Sequence, residues 1–233
     1  MTSVTAVIPA FNESARIGHT LESIREFVDE VIVIDDASDD ETASISQKHG
    51  ARVIRHDTNK GYIEAIKTGF ESASGDIVVT FDADGEFDAQ DIPRLVKPIL
   101  DDEADMVQGR RNSVIRPSER IITWFAQRKA VVGDSGTGLR ALRTDLARSL
   151  RLRGACICGT FSLEVIAKGG RLKEVPVTLR IIEKPRRIAW FHLRQLFYIF
   201  PWYIRKPAKS YRTGGISRPA ASVSQSKGSG KTP

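Results

Sequence analysis

Cysteine is nearly absent from this chain of 233 residues, with Cys156 and Cys158 as the whole complement. One intervening residue is too few for a CxxC motif and poor geometry for a disulfide, so a reduced interior is expected. No uninterrupted run of 18 apolar residues occurs, which excludes a predicted transmembrane helix. Residues 1–4 lack a basic stretch followed by an apolar one, so no secretory signal is read at the start. Repeats of fixed period are missing. So are the glycine signatures GxGxxG and GxxxxGK(S/T), which argues against a dinucleotide fingerprint and against P-loop nucleotide hydrolysis. Aromatic residues are sparse at 7%, yet seven of the 17 crowd into residues 188–204, IAWFHLRQLFYIFPWYI.

What is present is a soluble, globular composition of 41% hydrophobic and 27% charged residues, enough for one or two domains with a sizeable core. The net charge of +6 hides a division. Residues 1–110 hold 10 basic and 23 acidic side chains, a net of −13. Residues 111–233 hold 25 and 6, a net of +19. A uniformly basic nucleic-acid coat is therefore not expected, and a charged partner for each half is.

Apolar runs of four to six residues alternate with helical patterns through the first 110 residues. Strands are predicted at 4–9, 31–34, 51–55, 77–81 and 105–108. Helices are predicted at 13–27, 41–49, 62–73 and 92–100. That order implies an α/β fold, a mostly parallel sheet covered on both faces. The second half is less regular. Helices are read at 121–132, 145–150 and 162–167, a strand at 137–142 and an extended stretch at 172–182. The boundaries drawn are a catalytic domain at 1–182, a basic and aromatic segment at 183–212, and a disordered tail at 213–233, rich in Gly, Ser, Pro and Lys.

In a parallel α/β sheet, ligands bind at the carboxyl ends of the strands. The first four strands here end in Pro9-Ala10-Phe11-Asn12-Glu13, in Asp35-Asp36-Ala37-Ser38, in Asp57-Thr58-Asn59-Lys60-Gly61 and in Asp82-Ala83-Asp84-Gly85-Glu86. Four polar clusters on one rim point to a site. Asp82 and Asp84 are the sharpest pair, since two carboxylates held close are costly unless a cation joins them. Hard oxygen ligands suit Mg²⁺ or Mn²⁺. An Asx-type turn that merely caps the next segment explains the same spacing. Asp35 and Asp36 could accept from a base or ribose, while Ser38 or Asp39 could cap the following helix. Arg110 and Arg111 follow the fifth strand, and residues 134–140 (DSGTGLR) offer glycines, hydroxyls and an arginine that could hold phosphate.

Taken together, VIPAFNE, VIVIDDASDDET, NKGYIEAIKTGF, GDIVVTFDADGEFD, QGRR and DSGTGLRAL resemble, in order and spacing, the GT-A fold, family 2 glycosyltransferases. The nearest resemblance is to the branch of dolichyl-phosphate mannose and glucose synthases, over roughly residues 3–182. It implies an inverting transfer of a hexose from a nucleoside-diphosphate sugar, with Mg²⁺ or Mn²⁺. Pro9, Phe11, Glu13, Asp36, Lys60 and Asp82 would bind the donor. Asp82, Asp84 and Glu86 would hold the metal. Asp82, Asp84, Arg110 and Arg140 would carry catalysis, and Arg110, Arg111, Asp134, Thr137 and Arg140 would meet the sugar and the acceptor phosphate. Glu86 stands where relatives often have Gln, and Phe11 where Tyr is common. GDP-mannose is the first donor implied and UDP-glucose the second.

A phosphate acceptor is already an anion and needs no general base, whereas a hydroxyl acceptor does. Relatives acting on hydroxyls often carry a Glu-Asp pair before a late helix; here only Glu164 stands in that region. The aromatic segment is flanked by Lys184, Arg186 and Arg187 and by Arg205, Lys206 and Lys209, a composition that suits the membrane–water interface. The partners expected are thus a nucleotide sugar, a polyprenyl (dolichyl) phosphate and a membrane surface, with no nucleic acid. The expected location is the cytoplasmic face of a membrane, bound peripherally. Three other readings compete: a family 2 glycosyltransferase with a hydroxyl acceptor and Glu164 as its base, a membrane-recruited sugar-nucleotide binding module without turnover, and a phosphatase using Asp82 in a DxDG motif. The last is disfavoured because such motifs usually end the first strand.

Overall fold

The structure, a computed structural model, describes residues 1–112, 133–154 and 157–180, with residues 123, 124, 127, 195 and 198 besides. Most of the expected helix at 121–132, Cys156, the tail and the aromatic segment other than Gln195 and Tyr198 lie outside the described residues.

Strands and helices alternate as the periodicity predicts: β1 (Val4–Ala10), α1 (Ile17–Ile24), β2 (Glu30–Asp35), α2 (Thr42–Lys48), β3 (Arg52–Arg55), α3 (Tyr62–Ser72) and β4 (Ile77–Thr80). A short 3-10 turn, Ala89–Asp91, leads into α4 (Ile92–Leu100). Then come β5 (Met106–Arg111), β6 (Arg140–Arg143), α5 (Thr144–Ser149), α6 (Thr160–Ala167) and β7 (Leu172–Val177). The seven strands form one sheet in the order β3-β2-β1-β4-β6-β5-β7. The first four are mutually parallel, so their carboxyl ends share one rim. β6 runs antiparallel between β4 and β5, and β7 is parallel to β5. The mostly parallel α/β sheet expected from the sequence is therefore present, with one reversed strand inserted.

β1 reads as a continuous apolar run because both faces of the sheet are covered. Val4, Ala6, Ile8 and Ala10 point to one side, into a core shared with Ile17, Leu21 and Ile24 of α1 and Ile92 and Leu95 of α4. Val7 points to the other side, against Ile63, Ile66 and Phe70 of α3, Leu146 of α5 and Phe161 of α6. Gly69 lets α3 settle on that second face: a Cβ there would fall well inside contact distance of the Val7 side chain. Gly69→Ala is expected to cost about 1–3 kcal/mol through overpacking, read as a lower urea midpoint with an unchanged m-value.

Three local readings need correction. β5 is longer than expected: Arg110 and Arg111 sit on the strand, paired with Pro176 and Val177 of β7, rather than after it. Neither Ser38 nor Asp39 caps α2. Instead Asp40 Oδ1 accepts from the Thr42 amide at 3.0 Å, and Ser38 Oγ accepts from the Asn12 amide at 2.9 Å, tying the first two rim loops together. The strand expected from Thr137 starts only at Arg140, since Thr137 Oγ1 turns back to its own loop and accepts from the Leu139 amide at 3.3 Å.

Candidate active site

The four parallel strand ends enclose a cleft of about 330 Å³. β1 and the loop after it supply Pro9, Ala10, Phe11 and Glu13, the loop after β2 supplies Asp36, the turn after β3 supplies Asn59 and Gly61, α3 supplies Tyr62 and Ala65, and the loop after β4 supplies Asp82, Ala83 and Asp84. Of the donor residues expected from the sequence, only Lys60 does not line it. Lys60 is exposed, and its backbone amide donates to Asp36 instead.

Phe11 is 45% exposed in this cleft. An aromatic ring left open beside polar groups is a stacking platform rather than a core residue. Asp36 is buried and heavily engaged. Its Oδ1 accepts from His56 Nδ1 at 2.7 Å and from the Lys60 amide at 2.9 Å, and its Oδ2 accepts from the Gly61 amide at 2.7 Å. Burial alone would raise its pKa, but these donors outweigh it and hold the carboxyl below its usual range. One of its lone-pair directions is left to accept from a ligand. His56 is itself held, with Nε2 in a hydrogen bond with Thr68 Oγ1 at 3.0 Å. Asp35 turns away from the cleft: it is buried, accepts from the Ser38 amide at 3.1 Å and stands 3.2 Å from the Arg55 guanidinium.

Asp82 is the electrostatic centre. Its pKa is raised to about 6, first by withdrawal from solvent and then by the charge of Asp84, with Glu86 adding to it. The Tyr62 hydroxyl, donating to Oδ1 at 3.2 Å, and the Arg140 charge oppose that rise without cancelling it. Asp84 Oδ1 accepts from the Glu86 amide at 3.1 Å, so the Asx-type turn and the paired carboxylates coexist. This crowding of hard oxygens fits a divalent cation. Among the described residues no three Asp, Glu, His or Cys side chains converge on one point, so Asp82, Asp84 and Glu86 are not a preformed three-ligand cage. An ion held there would complete its shell from a ligand's oxygens and from water.

Gly138 makes room for this carboxylate. A Cβ on it would overlap the Asp82 side chain outright. Gly138→Ala is expected to displace Asp82 and lower turnover by roughly 100-fold, the scale of a 1 Å misplacement, while circular dichroism stays native.

The residues expected around the acceptor divide into two kinds. Arg111 and Asp134 satisfy each other: Arg111 Nε lies 2.6 Å from Asp134 Oδ2 and its Nη2 lies 2.9 Å from Oδ1. That pairing lowers the Asp134 pKa against the opposing effect of burial. Arg110, next on the strand, projects to the opposite side and is exposed, since side chains alternate along β5. Thr137 is fully buried. Arg140 is different in kind. It is fully buried, its register pairs it with Thr80, two residues before Asp82, and its guanidinium lies 4.7 Å from the centre of the Phe161 ring. Nη2 donates weakly to Ser135 O at 3.4 Å, while Nε and Nη1 have no hydrogen-bond partner among the described residues. Burial holds its pKa below the usual arginine range. Two guanidinium nitrogens with idle N–H groups on a buried cation suit an anion that arrives with a ligand.

Glu164 on α6 is buried and accepts from the Arg151 amide at 3.0 Å; it does not line the cleft. Tyr62, His56, Gly138 and Phe161 escaped the sequence reading. Tyr62 had a signal, as the first helical residue after Gly61 in a motif already singled out. The others owe their place to chain segments that meet only in the fold.

The glycosyl transferase family 2 model matches residues 5–163, more than half of the chain. The chain belongs to that family. This family 2 chain is 32% identical over 195 residues to an uncharacterized protein of Methanocaldococcus jannaschii, covering 75% of this chain and 80% of the other. It is 26% identical to the dolichol-phosphate mannosyltransferase of Pyrococcus furiosus, covering 85% of this chain and 64% of that one. It is 34% identical to an undecaprenyl-phosphate 4-deoxy-4-formamido-L-arabinose transferase of Serratia proteamaculans, covering 63% of this chain and 51% of that one. It thus spans about half to two thirds of the length of these two transferases. Among solved structures, the glucosyl-3-phosphoglycerate synthase of Mycobacterium tuberculosis superposes with a TM-score of 0.70 at 25% identity, covering 85% of this chain and 79% of that one. The GT-A fold implied by the motifs is the fold observed. No helix among the described residues is long and apolar enough to cross a membrane.

Proposed function

We propose that this family 2 glycosyltransferase moves a hexose from a nucleoside-diphosphate sugar to a polyprenyl phosphate, with inversion at the anomeric carbon. The observation that carries this reading is Arg140, a buried cation with idle donors, within electrostatic reach of Asp82 at the strand-end cleft. Two anionic ligands explain the pair: a diphosphate leaving group and an attacking phosphate. The names of the transferases from Pyrococcus and Serratia support the acceptor class. GDP-mannose is the first donor we propose, from the likeness to the mannosyltransferase. UDP-glucose is the second, in keeping with the glucosyl product named for the structural neighbour.

In this reading Phe11 stacks on the base and Asp36, steadied by His56, accepts from its edge. Asp82, Asp84 and Glu86 would hold Mg²⁺ or Mn²⁺, which supplies charge stabilisation to the departing diphosphate. Arg140, buried behind the cleft lining, would draw the acceptor phosphate by its charge and so help set one phosphate oxygen towards the anomeric carbon. The new C–O bond forms as the bond to the diphosphate breaks, and no proton has to be removed from the acceptor. That suits a cleft lacking Glu164, whose carboxylate is turned to the Arg151 amide. We place the protein peripherally on the cytoplasmic face of a membrane, where such a lipid is reached.

The test incubates the full chain with Mn²⁺ or Mg²⁺, a panel of GDP- and UDP-sugars, and dolichyl or undecaprenyl phosphate in detergent. A lipid-linked sugar of inverted anomeric configuration is expected from one donor. Nucleotide binding without turnover across the whole panel would instead make the chain a binding module.

A further inference from the structure

A second groove, also of about 330 Å³, lies away from the cleft, between α3 and the chain that follows α5. Its floor is apolar, with Phe70, Leu150 and Leu152 all buried. Four cations line its wall: Lys67, Arg148, Arg151 and Arg153. Two of them are accounted for. Lys67 pairs with Glu64 at 2.7 Å, and Arg148 donates to the carbonyls of Phe70 at 3.1 Å and Ala73 at 2.6 Å, closing the end of α3. Arg151 and Arg153 are exposed and make no side-chain ion pair among the described residues. Glu71 is the one carboxylate on the groove wall.

Beyond Arg153 the chain meets Gln195, a residue of the aromatic, basic stretch. Gln195 Nε2 donates to Cys158 O at 3.2 Å and to Thr160 Oγ1 at 3.1 Å, and Gly154 packs on the Gln195 amide. Tyr198, three residues on, is 41% exposed. Cations around a narrow apolar floor match the chemistry of a lipid headgroup, with phosphate at the cations and the glycerol carbons towards Phe70, Leu150 and Leu152.

We propose that this groove is a binding site for anionic phospholipid, with Arg151 and Arg153 meeting the headgroup phosphates. It rests on the membrane reading above and adds a contact made by the catalytic domain itself. Each cation near an anionic leaflet contributes on the order of a fivefold gain in binding, so losing two should weaken it roughly 30-fold.

The experiment is flotation of the full chain with vesicles of phosphatidylcholine alone or containing phosphatidylglycerol. Wild-type protein is expected on the anionic vesicles, with less at high salt. R151Q/R153Q is expected to lose roughly 30-fold in partitioning and R151E/R153E more, both with unchanged melting temperature and unchanged nucleotide-sugar binding. Equal partitioning of wild type and R151Q/R153Q would overturn the proposal. So would equal binding to neutral vesicles. Stabilisation of the wild type alone by free phosphate or glycerol phosphate, without vesicle binding, would mark a small-anion site instead. Transfer to a polyprenyl phosphate in detergent by protein that binds no vesicle would sink the groove and leave the proposed activity standing.

Discussion

Asp84→Asn is expected to lower sugar transfer by at least about 100-fold while the fold survives. The substitution isolates charge from shape. Asp84 Oδ1 accepts from the Glu86 amide, and an asparagine carbonyl oxygen can keep that bond. What disappears is one negative charge beside Asp82. Since that charge is a cause of the raised Asp82 pKa, the midpoint of Asp82 should fall from about 6 towards its ordinary value of 3.8. Three measurements separate the outcomes: steady-state transfer, the thermal shift produced by Mn²⁺ with a nucleotide sugar, and the Asp82 titration by NMR. Full activity in Asp84→Asn would remove the carboxylate pair from the mechanism, whatever the family likeness.

Arg140→Met is expected to move stability and activity in opposite directions. A fully buried guanidinium whose Nε and Nη1 have no hydrogen-bond partner among the described residues carries a desolvation penalty of several kcal/mol, and no carboxylate of those residues at hydrogen-bond distance offsets it. Its compensations are a cation–π contact with Phe161, worth about 2 kcal/mol when desolvated, and one long hydrogen bond to Ser135. Methionine fills similar space without the charge, so the melting temperature should rise by roughly 3–10 °C. Transfer should fall by about 100- to 1,000-fold, the scale for losing one preorganised donor to developing or transferred charge. Arg140→Lys keeps the charge with fewer directed donors and should recover only part of the rate. A drop in melting temperature with activity intact would make Arg140 a structural residue. Fold stability held below its optimum to keep an anion receptor ready is the behaviour expected of a functional site.

The parallel half of the fold was legible because local signals agreed with the global one. β1, β2, β3 and β4 are short apolar runs, each followed by a helical period and a polar break, and a parallel sheet is the arrangement that buries such strands on both faces. The site inherited that legibility: Pro9, Phe11, Glu13, Asp36, Asp82 and Asp84 were named from strand ends, and all six line one cleft. The second half was harder because its contacts cross the chain. Nothing local in Arg140–Arg143 says that β6 runs antiparallel between β4 and β5. Arg111 and Asp134 looked like two phosphate ligands, yet the fold pairs them with each other. Glu164 stood as the candidate base for a hydroxyl acceptor, yet it holds a backbone amide.

The charge division shows the same limit. By sequence it suggested a donor side and a lipid side. In the fold some of those opposite charges meet: Asp105 pairs with Arg143 and Arg171, Glu103 with Lys173, and Asp88 with Arg180. What the sequence alone determined was the α/β class, the family and the donor-side rim. The class and the rim follow from periodicity and strand-end chemistry, which are local and repeat along the chain, and the family follows from the likeness of its motifs to those of known members. What only the tertiary structure decided was which charges cancel and which stay available, because pairing depends on distance in space. Arg111 is neutralised by Asp134, while Arg140 Nε and Nη1 keep no hydrogen-bond partner among the described residues.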